Sequence, residues 1–159
     1  MAITDSPDQP SFLPHIDLLL QSLRISRERL NSRSKVAIDT RLLRALLQSL
    51  VSQLPFDPAF YLEQNADIAA AFKAGGITDL HRHFCESGFF EGRFGAPPPV
   101  DEKFYTANYQ DIGTAISRGD IASGAEHYMR SGAAEGRLPS EAMRPKVEQW
   151  AAVLSDQQS

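Results

Sequence analysis

Apolar residues recur at intervals of three and four through most of the chain, and alternating β-branched and polar positions are almost missing. That period predicts an all-α protein. Ile16, Leu19, Leu20, Leu23 and Leu30 fall near one face, with Arg24, Arg27 and Glu28 opposite, and Asn31-Ser32-Arg33-Ser34 offers a break. A second helix is expected from about Val36 to Leu54, giving an N-terminal helical hairpin over residues 15–54 after a flexible tail at 1–14. Leu42, Leu43, Leu46, Leu47, Leu50 and Leu54 cover more than one stripe, and a helix apolar over so wide an arc must contact more than one neighbour. Pro55 biases the residue before it away from the α region and ends the helix.

Beyond Pro55 the pattern repeats itself. Residues 56–95 align without a gap on residues 100–139, with fourteen identical pairs in forty positions, where chance gives roughly three. Each copy predicts short helices joined by tight turns. Asp57-Pro58 and Asp101-Glu102 supply capping starts, and Gly75 and Gly119 fit the left-handed position after a helix end. A third helix carries His83-Phe84 or His127-Tyr128 and is expected to end at Gly88 or Gly132. The turn Glu-Gly-Arg follows, built on Gly92 and Gly136. Phe94-Gly95-Ala96-Pro97-Pro98-Pro99 spaces the copies semi-rigidly, with the linker proper at 96–99. From Ser140 a short helix, about 141–154, sets Val147, Trp150 and Leu154 on one stripe and is expected to cap the last repeat.

Charge separates these parts. The net charge is −4, made of +4 over residues 15–54, −5 over residues 55–139 and a small acidic excess at each end. An acidic chain argues against whole-chain nucleic-acid or membrane-surface binding, while the basic hairpin suits an acidic partner or the chain's own repeats. A single Cys excludes an internal disulfide framework and a Cys-rich zinc module. With 42% hydrophobic residues the chain is not of the disordered class. The N-terminus lacks a basic region followed by an apolar run, and the cluster from Ile16 to Leu23 is too short and too polar to span a bilayer. Cytoplasmic synthesis without a signal peptide or membrane insertion is therefore expected.

The candidate chemistry is sparse. His81-Arg82-His83-Phe84-Cys85-Glu86 suggests a metal, but i and i+2 point about 200° apart on a helix, and the second copy has Ala125 and Met129 in place of His81 and Cys85. No metal and no cofactor are expected. His83 and His127 predict an imidazole bonded to a backbone carbonyl or to Asp57 or Asp101. Glu91 with Arg93, and Glu135 with Arg137, predict bracing of helix ends, the arginines forking onto carboxylates or terminal carbonyls. No nucleophile–base pair or phosphate loop stands at a fixed spacing, so an enzyme is not expected. Contact with a glycan or protein partner falls to Tyr105, Tyr109, Tyr128, Arg93, Arg137 and Trp150, because rings stack on sugar faces and arginines bond hydroxyls. Docking or self-association falls to Leu20, Leu23, Leu43, Leu47 and Leu50 of the hairpin.

The pattern F-D-x-x-x-Y-L-x-x-N-x-D-I, then Gly, then H-[FY]-x-x-x-G-x-x-E-G-R, resembles tandem modules of bacterial cell-surface and polysaccharide-related proteins over residues 56–139. The second copy departs from it at Thr106 and Tyr109, where the helix junction is expected to differ. A small chain of this kind is also similar to head-spike or fibre-base proteins of phage-like particles and gene transfer agents. The resemblance implies a non-enzymatic assembly module, a homo-oligomer or part of a larger particle, that presents its repeats to a protein or a surface polysaccharide. The alternative it implies is an accessory, non-catalytic subunit of a polysaccharide glycosyltransferase system.

Overall fold

A computed structural model describes residues 12–155, whose regular elements are all helical with no strand among them. All but the last three residues of the tail expected at 1–14 lie outside the described residues. The chain divides into two compact units between Ala96 and Pro97, inside the proline-rich stretch.

The first unit opens with α1 (Ile16–Leu23) and α2 (Thr40–Val51). The first helix is half the expected length. Arg24 takes the left-handed conformation (φ 55°) and its amide returns to Gln21 O at 3.1 Å, which closes the helix seven residues before Leu30. A single 3₁₀ turn at Glu28–Asn31 and an extended stretch follow, where Ser32 and Ser34 bond each other and Arg29. Polar side chains that bond nearby backbone compete with the helix in this way. Asp39 then caps α2 by accepting from Arg41 N.

The first repeat folds as α3 (Pro58–Gln64), α4 (Ala66–Lys73) and α5 (Leu80–His83). The winding of α5 continues through a π-turn, Phe84–Gly88, and a 3₁₀ turn, Phe89–Glu91. Val51 of α2 enters its core beside Tyr61, Ile68, Leu80, Phe84 and Cys85. The Arg44 guanidinium donates to Glu86 O and lies 4.0 Å over the Phe90 ring. One neighbour of the wide leucine arc is thus the first repeat.

The second unit repeats the plan with α6 (Glu102–Asn108), α7 (Gln110–Arg118) and α8 (Gly124–His127), again run into a π-turn, Tyr128–Gly132. The backbone at the departure point is unchanged: Asn65 and Tyr109 sit at φ −132°, ψ 84° and φ −120°, ψ 82°. The junction expected to differ therefore keeps its shape. A 3₁₀ turn and α9 (Arg144–Ser155) end the described chain. The capping role expected of α9 is corrected, since Trp150 is 62% exposed, Leu154 is exposed as well and no residue of α9 is buried.

Candidate functional site

Each repeat is tied into a closed unit by the same three devices. The amide of its first capping aspartate donates to the carbonyl of its last residue, Asp57 N to Gly95 O at 2.8 Å and Asp101 N to Pro139 O at 3.0 Å. The same aspartates cap α3 and α6 through their side chains, as the sequence predicts.

The second device is a buried phenol held by an imidazole. Tyr61 and Tyr105 are 0% exposed, and their hydroxyls meet His83 Nδ1 at 3.0 Å and His127 Nδ1 at 2.9 Å. Burial pushes both phenols up to about 12. They remain protonated and can donate to a neutral Nδ1; in the second repeat Nε2 then faces Ser131 Oγ at 3.1 Å. The expected carbonyl or aspartate partner of the histidines is thereby corrected to tyrosine, since Asp57 and Asp101 are consumed at the helix caps. Gly88 and Gly132 also change meaning. They lie in ordinary helical geometry inside or beside the π-turn, and a Cβ there would stand 2.1 Å or 2.3 Å from the tyrosine hydroxyl. The glycine is required by close approach. The left-handed ends fall instead at Gly92 and Gly136, with φ 79° and 71°.

The third device is an arginine clasp. Arg93 reaches Asp67 at 2.8 Å and Glu91 at 2.7 Å, while Arg137 reaches Asp111 at 3.1 Å and Glu135 at 2.6 Å. The arginines brace the start of α4 and α7, as forks onto carboxylates. The guanidinium holds the Asp67 and Asp111 carboxyls below the ordinary aspartate value.

These placements sort the candidate partner contacts. Tyr105 is buried and its ring face is unavailable to a glycan, which corrects that assignment. Arg93 and Arg137 are committed to their clasps. Tyr109 packs against Tyr105 at 4.8 Å, lies under Arg137, and accepts from Leu138 N at 2.7 Å. Tyr128 is half-buried, edge-on to Tyr105 at 6.1 Å. Trp150 alone of the six stands outward. In the hairpin, Leu20 is buried and Leu23 and Leu47 are half-buried, whereas Leu43 and Leu50 are exposed.

An open groove of about 390 Å³ in the second unit is lined by Glu102, Lys103, Thr106, Ile116, Ala122 and Ser123. Glu102 already accepts from Gly124 N and Ala125 N, Thr106 donates to Glu102 O, and Ser123 caps Glu126 N. Among the described residues, no group of three His, Cys, Asp or Glu is placed to hold a metal ion, and no helix is long and apolar enough to cross a membrane. His81 and Cys85 approach each other at 3.6 Å inside the first repeat. The repeats thus spend their polar groups on themselves. No protein-family model, no curated protein and no solved structure matches the chain.

Proposed function

We propose that this chain is a non-enzymatic assembly module, whose N-terminal hairpin associates with a copy of itself or another protein while the two closed repeats serve as presenting units. One observation carries the reading: the tyrosine–histidine and arginine–aspartate groups of each repeat are bonded to each other, whereas Leu43, Leu50, Leu54 and Trp150 are exposed. Exposed large apolar residues along one stretch of chain, as Leu43, Leu50 and Leu54 are, mark interaction surfaces. The likeness of the repeats to modules of surface and polysaccharide-related proteins supports a particle or a glycan-bearing surface as the setting. A spike or fibre base of a phage-like particle is one such setting.

Light scattering together with co-sedimentation on capsular polysaccharide tests the proposal. Self-association or retention by the polysaccharide is expected. A strict monomer that no polysaccharide retains overturns it.

A further inference from the structure

The two repeats differ in what lies on their π-turns. In the first, α2 packs on Phe84–Gly88. Val51 enters the core beside Phe84 and Cys85, which are 3% and 5% exposed. Arg44, seven residues earlier and so two turns away on the same side of the helix, donates to Glu86 O and covers the Phe90 ring. Among the described residues of the second unit no helix packs on Tyr128–Gly132 in this way, and α9 buries no residue. Tyr128 and Met129, the counterparts of Phe84 and Cys85, are only half-buried, although the backbone beneath them follows the same π-turn. One face is thus present twice in the chain, seated in the first repeat and open in the second. The seated copy shows what such a face receives: a helix, docked by one small aliphatic residue and one polar residue two turns before it.

The side chains around the open face reverse the charge wanted at that polar contact. In the first repeat the residue after Cys85 is Glu86, whose carboxylate is paired with Arg82 at 3.0 Å. Its counterpart is Arg130, exposed and, among the described residues, without a hydrogen-bond or ion-pair partner. Glu126, in the place of Arg82, accepts from Ala122 N instead. Ala134 stands where the first repeat has the Phe90 ring under Arg44. An arginine arriving at this face meets a like charge and no aromatic platform, whereas a carboxylate meets an unpaired guanidinium that can fork onto it. We propose that the Tyr128–Ala134 face of the second repeat is an open helix seat. It takes from another protein an amphipathic helix that carries a small aliphatic residue and, seven residues before it, a carboxylate for Arg130. A second copy's α2 has Arg44 at that place and is disfavoured. The inference rests on the reading of the repeats as presenting units, and adds the site and the chemistry of its partner.

A peptide of residues 39–54 is the probe, unchanged and with Arg44→Glu, each titrated with the full chain by fluorescence anisotropy. Isolated helices of this length are marginal, so the ratio of the two affinities is the readout rather than either value alone. The Arg44→Glu peptide should bind about fivefold more tightly, and should shift the amide resonances of Tyr128–Ala134. Arg130→Glu in the full chain, at an exposed position, should leave the far-ultraviolet circular dichroism spectrum unchanged and reverse the order of the two peptides. That reversal separates a contact with Arg130 from an effect of the substitution on peptide helicity. Equal binding, tighter binding of the unchanged peptide, or resonance shifts confined to the first repeat overturn the open seat. An order that Arg130→Glu fails to reverse overturns it as well. Light scattering and polysaccharide retention decide the assembly reading separately, whatever the peptides do.

Discussion

The two repeats carry one polar skeleton and two different apolar fillings. Tyrosine on histidine, arginine on aspartate and glutamate, and the closing amide return at equivalent places in both. The filling varies in compensated pairs. Phe56 with Gly95 in the first repeat becomes Val100 with Pro139 in the second; a Cβ on Gly95 would come within 2.8 Å of the Phe84 ring, and Pro139 is fully buried. Pro58 with Leu80 becomes Glu102 with Gly124, and the carboxylate takes up the Gly124 and Ala125 amides. The first exchange nearly holds total volume, as a packed interior tolerates, whereas the second replaces apolar volume with hydrogen bonds. Phe89 and Phe90 become Ala133 and Ala134. Phe90 is the ring on which Arg44 rests, so the repeat that receives α2 keeps the aromatic platform, and the other does without it. Skeleton and filling thus answer different demands: the skeleton fixes the chain path, and the filling fits what packs against it.

The largest effect expected comes from adding one methyl at the close approach. Gly88→Ala or Gly132→Ala drives a carbon into the tyrosine hydroxyl and should cost about 3 kcal/mol in urea unfolding. Because the same Cβ would lie 3.2 Å from Tyr61 Cζ, pairing Gly88→Ala with Tyr61→Phe should recover about 1 kcal/mol relative to the sum of the single changes. Strict additivity would show that the hydroxyl is not what excludes the side chain.

A smaller and unequal loss is expected at the clasps. Arg93 also donates to Asn65 Oδ1 at 2.7 Å, and Asn65 is buried. Arg93→Met should cost about 2 kcal/mol, since a buried acceptor loses its partner. Arg137→Met leaves Tyr109 bonded to Leu138 N and should cost about 1 kcal/mol. Equal losses would break the distinction drawn between Asn65 and Tyr109. Acid titration addresses both clasps. Because the folded carboxyls of Asp67 and Asp111 are lowered, their contribution is complete above the ordinary value of 3.8 and fades as pH falls below it. Unfolding by acid should therefore begin below about pH 4, and Asp67→Asn with Asp111→Asn should flatten that dependence.

The shared phenols should respond alike. Tyr61→Phe and Tyr105→Phe should each cost about 1 kcal/mol, the net worth of one hydrogen bond. Both phenols are raised from 10.0 to about 12, so the fold favours their neutral form; that stabilisation is whole below pH 10 and is lost as pH rises through about 12. Burial raises the Tyr128 phenol as well, so tyrosinate absorbance should show late-titrating phenols beyond these two, and Tyr61→Phe and Tyr105→Phe should each remove one. The smallest change is expected at Arg44→Ala, about 0.5–1 kcal/mol from the contact with Phe90. It should loosen α2 on the first repeat, as read by amide exchange at residues 40–51.

Much of this was legible in the sequence. Periodicity determined the all-α class, self-comparison determined the repeat, and the capping aspartates and the left-handed Gly75, Gly119, Gly92 and Gly136 could be assigned by position. These are local properties, fixed by residues within a turn or two. The tertiary structure alone decided the long-range partners. Tyr61 and His83 are 22 residues apart, Arg93 and Asp67 are 26, and no spacing rule joins such pairs. Gly88 and Gly132 were legible as glycines but misread as helix ends, because the ring that requires them comes from another helix. Arg24 ended α1 in a conformation a sequence assigns to glycine, and only the exposure of Leu43 and Leu50 beside the buried Val51 separated the docked side of α2 from its open side. Short-range sterics write the helices and turns into the sequence; which side chain meets which across the fold is settled when the helices pack.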